Sequence, residues 1–200
     1  MKGSLIILAF FIAGAVSAYV GILPDIVLEN DFSVYILYGL MLLVGINIGY
    51  DKKTLSTLKN NKFKVILVPL ATLVGTLIGC AIIGLFIPKW SVFECMAVGS
   101  GFGYYSLSSI FITQYKGAEL GTIALVSNII RELFTLLAAP ILVTYFGKLA
   151  PISAGGATTM DTTLPIITKY SGQEFIIIAI FHGITLDLTV PFLVTFFCYL

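Results

Sequence analysis

Charge is scarce in this chain of 200 residues. It holds 11 Lys and Arg, 10 Asp and Glu and a single His, and charged residues make up only 10% of the total. An ordinary soluble domain carries about 25%. Hydrophobic residues reach 58%, and mean hydropathy is +1.06. So little polar surface cannot cover a soluble fold. The shortage excludes a cytosolic enzyme and a nucleic-acid binder, and it leaves an integral membrane protein whose first partner is the lipid bilayer. Cysteine is also sparse. Cys80, Cys95 and Cys198 are odd in number, sit in apolar runs and form no C-x-x-C. A secreted disulfide scaffold is thereby excluded, and the three read as packing residues. One histidine gives no basis for a His-built metal site, so neither metal nor cofactor is expected.

What is present is a succession of apolar runs. A helix crossing a bilayer needs about 20 mostly apolar residues. Runs of that kind occupy residues 4–23, 32–50 and 65–87, so residues 1–87 read as three transmembrane helices. A cleaved leader is the other reading of the first run, through Met1-Lys2 and Val16-Ser17-Ala18. The apolar stretch continues past that point, which favours a span. Residues 88–200 read as a transport core. Within it, residues 118–146 and 174–200 form helices, while about 91–113 and 150–168 are interrupted by glycines and by Pro165. No run alternates as a membrane barrel strand does. The fold class expected is an all-α integral membrane protein. It has about seven hydrophobic segments, two of them broken or re-entrant, in the manner of a secondary transporter.

Orientation follows from basic residues in short loops. Lys52, Lys53, Lys59, Lys62 and Lys64 follow the second run, and the preceding loop holds Asp25, Glu29 and Asp31 with no basic residue. This places the N-terminus in the cytoplasm. The two broken segments change the crossing count by two if both cross or both re-enter, and either choice leaves the C-terminus external.

Ionisable groups at bilayer depth are costly, and the default reading is functional. Glu132 lies at the middle of the 118–146 run, with Asn128 one turn before it on the same face. Ser127, Asn128, Arg131, Glu132 and Thr135 make a polar stripe on an apolar helix. The plainer reading is a cluster that only joins helices, but two adjacent charges are a costly joint. Arg131 points about 100° from Glu132 and needs another partner, for which Asp187 is one candidate. Asp161 follows Gly155, Gly156, Ala157, Thr158 and Thr159. An ordinary extramembrane loop is one reading of this stretch. The apolar residues on both sides favour a broken helix, whose non-helical backbone is tolerated only inside protein or along a cavity. Gly99, Ser100, Gly101, Phe102, Gly103, Tyr104, Tyr105, Ser106, Leu107 and Ser108 have the same character. Two Gly-interrupted segments are the pattern of secondary transporters, in which half-helix ends face ions. His182 reads as a satisfied core histidine ahead of a proton carrier, and Lys89 with Trp90 as interface anchors.

At these residues the chain resembles the lysine exporter LysO family over its C-terminal two thirds. The resemblance rests on four pieces in order. They are Ser100 to Ser108; Asn128 with Arg131-Glu132-Leu133; Gly155 to Asp161 with Thr163-Leu164-Pro165; and His182-Gly183 with Val190-Pro191. It implies an inner-membrane exporter of L-lysine and its analogue thialysine, driven by proton antiport. It also implies that Glu132 and Asp161 are the essential carboxylates for proton coupling and substrate binding. Ser100, Gly101, Tyr104, Tyr105, Ser106, Ser108, Asn128, Arg131, Gly155, Gly156, Thr158, Thr159 and His182 then line the substrate pathway. Family members carry a further N-terminal three-span unit that is absent here. The implied inverted repeat would be completed by a small three-span partner or by a homodimer.

Lysine presents two ammonium groups and one carboxylate. The two acids suit the former; Arg131 or the half-helix N-termini near Gly101 and Gly156 suit the latter. Other readings stay open: a transporter for a different organic cation or one driven by Na⁺, a non-transporting subunit, and an intramembrane serine hydrolase, for which no G-x-S-G element is present.

Overall fold

The computed structural model describes residues 62–200 without a gap, and isolated positions between 9 and 46. The spans expected at 4–23 and 32–50, and the lysines at 52, 53 and 59, lie outside the described residues apart from those isolated positions. Every element among the described residues is helical: α1 (Lys62–Gly84), α2 (Val92–Gly99), α3 (Tyr105–Lys116), α4 (Ala118–Phe146), α5 (Ala150–Gly155), a 3-10 turn (Gly156–Met160), α6 (Leu164–Ser171), a short 3-10 turn (Gln173–Phe175) and α7 (Ile176–Tyr199). Three of these stretches are long and apolar enough to cross a membrane: Val65–Gly84, Ala118–Phe146 and Gln173–Tyr199. The protein is an all-α, multi-pass membrane protein.

The two broken segments are hairpins. α2 starts on a capping box, in which the Ser91 hydroxyl accepts from the Glu94 amide at 3.2 Å and the Glu94 carboxylate from the Ser91 amide at 2.8 Å. It runs inward for 8 residues and ends at Gly99. The chain reverses through residues 100–104, and α3 returns. Its last turn brings Lys116 to 4.0 Å from Glu94, at the start of α2. Beside them Lys89 pairs with Glu119, in the first turn of α4. The second hairpin closes in the same way at the other end of α4. Lys148, just before α5, pairs at 3.0 Å with Glu174, just after α6. α7 then returns to the first end, where the Tyr199 ring lies 5.2 Å from Tyr115 of α3. Segments four and six therefore both fold back as hairpins, from opposite ends of the bundle.

Single glycines in the left-handed region make the tight links. Gly117 (φ 94°) joins α3 to α4, and Gly147 (φ 88°) ends α4. Two apolar clusters fill the interior. One, around Phe102, Ile112, Leu120, Leu186 and Val190, packs the first hairpin against α4 and the C-terminal half of α7. The other, around Val65, Ala139, Ile152, Leu164 and Ile176, packs the second hairpin against α1, the far half of α4 and the start of α7. Between them lies a polar layer halfway along α4. With 29 residues and a rise of about 1.5 Å each, α4 is about 44 Å long, and Glu132 sits at its midpoint.

Candidate functional site

The tips of the two hairpins meet in that layer. The Ala157 amide of the second tip donates to the Phe102 carbonyl of the first at 2.8 Å. Phe102 holds φ 46°, a conformation that bulky side chains rarely adopt. It is wholly buried. Gly156 (φ 66°) completes the contact, since a Cβ there would collide with the Phe102 carbonyl oxygen.

Each helix that stops mid-bundle leaves carbonyls without a helical partner, and the residues of α4 supply donors for both hairpins. Asn128 serves the first. Its side-chain amide donates to Val98 O at 3.4 Å and to its own Ala124 O at 2.8 Å, while its oxygen accepts from the Gly103 amide at 2.7 Å. Arg131, one turn on, serves the second. Nε donates to Ala154 O at 2.8 Å and one Nη to Ser153 O at 3.0 Å, at the C-terminal end of α5. The other Nη reaches the Thr76 hydroxyl of α1 at 3.4 Å, and the guanidinium lies 5.7 Å from the Phe102 ring centre. A cation at a helix C-terminus also opposes the negative end of its dipole. Arg131 makes no ion pair with Asp187. That expectation is corrected, because carbonyls occupy the guanidinium, and Asp187 Oδ1 is buried with no hydrogen-bond partner among the described residues.

His182 is fully buried. Its Nδ1 lies 3.1 Å from the Thr159 hydroxyl of the second tip, and Nε2 lies 3.0 Å from the Thr72 hydroxyl of α1. Thr159 has one proton, and Gly156 O and Ala179 O stand 2.8 Å away as acceptors. The hydroxyl therefore donates to a carbonyl and accepts from Nδ1–H, and Nε2 faces the Thr72 hydroxyl. This buried histidine ties α7, the second tip and α1 together.

The predicted pathway residues fall into two groups. Ser100, Ser108, Thr158, Thr159, Asn128, Arg131 and His182 spend their polar atoms on holding the tips. Ser100 Oγ donates to Met96 O at 2.7 Å, Ser108 Oγ to Tyr104 O at 2.8 Å and Thr158 Oγ1 to Gly155 O at 2.9 Å. Gly101, Gly155 and Gly156 are buried where the backbones close in. The second group is more open. Glu132 and Asp161 are half-buried, Tyr104 likewise, and Tyr105 and Ser106 are exposed. The Glu132 and Asp161 carboxylates lie within electrostatic reach of each other, and both reach the Tyr105 phenol. The Thr162 hydroxyl faces Glu132, and the Thr162 amide donates to Asp161. The N-terminus of α3 opens beside them, with no side-chain cap and no acid in its first turn.

Sequence reasoning missed Thr72, Thr76, Thr162 and the structural weight of Phe102. The signal for the first two was available. They are hydroxyls one turn apart in the apolar run that became α1, and a polar group there needs a partner.

Comparison with known proteins gives the family. The profile of the family described as lysine exporter LysO matches residues 8–198. A protein of Escherichia coli K12 named lysine exporter LysO is 36% identical over 168 residues, 84% of this chain and 55% of that protein. A protein of Haemophilus influenzae Rd named as a candidate lysine exporter is 35% identical over 168 residues, 84% of this chain and 85% of its own length. The chain thus spans little more than half of the E. coli relative. No solved structure gives a significant match. A match over residues 8–198 makes this chain a member of the LysO lysine exporter family.

Proposed function

We propose that this protein is a secondary transporter of the inner membrane that exports L-lysine, and analogues such as thialysine, in exchange for protons. The observation that carries the reading is the meeting of two hairpins from opposite ends beside Glu132 and Asp161. Access to such a site from either side requires only that one hairpin move against its tip contact, with Glu132 held on the long α4 and Asp161 carried at the tip of the second hairpin. Family membership and the names of the relatives supply the substrate.

A carboxylate in this setting holds a proton or a substrate ammonium, one at a time. Lysine leaving outward is replaced by a proton arriving from outside, and the proton is released inward when the next lysine binds. The uncapped N-terminus of α3 offers amides to the substrate carboxylate. Arg131 is already engaged with carbonyls and is not that partner. In this reading the N-terminus is cytoplasmic and the C-terminus external, residues 88–200 form the transport core, and residues 1–87 support it. A three-span partner or a second copy completes the assembly.

Lysine added to sodium-free inverted vesicles bearing this chain should move protons out of the lumen, and omission of sodium should have no effect. A response that appears only with sodium, or with other organic cations and not with lysine, would overturn the reading. Reconstituting the chain alone and with its genomic neighbour tests the assembly.

A further inference from the structure

Each re-entrant hairpin is followed by a crossing helix, and the two hairpin–helix units run in opposite directions. Their internal spacing coincides. Glu132 lies 30 residues after Phe102, and Asp187 lies 30 residues after Ala157. Phe102 and Ala157 are the hydrogen-bonded tip residues.

The contacts repeat as well. In the first unit Asn128, one turn before Glu132, bonds to its own tip at Gly103. In the second unit Gly183, one turn before Asp187, packs on its own tip. A Cβ at Gly183 would come within 2.6 Å of the Met160 nitrogen and 2.8 Å of the Ala157 oxygen. Residues four apart on a helix share a face, so each acid stands one turn beyond the tip of its own hairpin. Asp161 is within electrostatic reach of both Glu132 and Asp187. Asp187 is half-buried, and its Oδ1 is buried with no hydrogen-bond partner among the described residues, although a buried polar atom left unpaired is costly.

We infer that Asp187 is the counterpart of Glu132 in the inverted unit and receives one of the two ammonium groups of a diamine substrate. The inference rests on the transporter reading above and adds to it a determinant of selectivity. Among the described residues no three acidic, His or Cys side chains converge as metal ligands do. An ammonium bound at Asp187 supplies the partner that Oδ1 lacks, and it distinguishes lysine from a ligand with one amine.

The test is ligand-induced thermal stabilisation of the purified full chain. Lysine is compared with norleucine, and cadaverine with pentylamine, in the wild type, Asp187→Asn and Asp187→Glu. The wild type should bind each diamine about tenfold more tightly than its monoamine, the worth of one charge-assisted contact. Asp187→Asn should lose that preference while still binding the monoamines. Asp187→Glu, which keeps the charge, should restore it in part. Full preference in Asp187→Asn overturns the inference and leaves the exporter reading standing. If Asp187→Asn does not fold, Asp187→Ser, which also removes the charge, decides, and a diamine preference equal to that of the wild type overturns the inference. A wild type that binds cadaverine with this preference but not lysine overturns the exporter reading alone. A wild type that responds to none of the four ligands removes both.

Discussion

Arg131 and Glu132 are neighbours in the chain with opposite tasks. Both are charges placed in an apolar helix, so the sequence marks both as costly and purposeful. What separates them is backbone geometry that no side-chain pattern encodes. Arg131 points at the end of α5, where Ser153 O and Ala154 O have lost their helical donors. Glu132 points at the open side of the tips, toward Thr162. Sequence reasoning sought an acid for Arg131 and missed that a broken helix supplies carbonyls instead. If those carbonyls lose their donors, each costs about 1–3 kcal/mol. Thermal unfolding in detergent should therefore fall in the order wild type, Arg131→Lys, Arg131→Gln, since lysine keeps a cation at the helix end but reaches fewer carbonyls. Equal midpoints for wild type and Arg131→Gln would show that the guanidinium does not hold the second hairpin.

Among the elements, the breaks themselves were the legible part. Glycine clusters at residues 99–103 and 155–156 interrupt two apolar runs, and the chain does reverse at both. Whether the halves then cross or return was not legible, because periodicity carries no information about direction after a break. The direction is set by contacts between residues far apart in sequence: Glu94 with Lys116, Lys148 with Glu174, and the Phe102–Ala157 bond between the tips. α4 serves both hairpins because Asn128 and Arg131 are three residues apart on one face. The same spacing places the acid that follows at the open side. Thr72 and Thr76 of α1 show how a helix with two hydroxyls in its apolar run joins the layer, by bonding to His182 and to Arg131.

For the molecule as a whole, the two hairpins give the protein two chemically distinct ends, and sidedness can be measured. With the native cysteines replaced, Glu94→Cys and Lys116→Cys should react alike with an impermeant maleimide on intact cells. Lys148→Cys and Glu174→Cys should react only after permeabilisation. Labelling of positions 94 and 116 from opposite sides would mean that the first broken segment crosses the membrane. The central claim lies deeper, in the competition of substrate and proton for the carboxylates where the hairpins meet. It is tested most directly by counting protons released when lysine binds the purified protein, by calorimetry in buffers of different ionisation enthalpy. The wild type should release up to two protons per lysine at a pH where the acids are protonated, since each acid holds one proton or one ammonium. Glu132→Gln and Asp161→Asn should each lower that release by about one proton. Wild-type proton release in both amide variants would contradict the account.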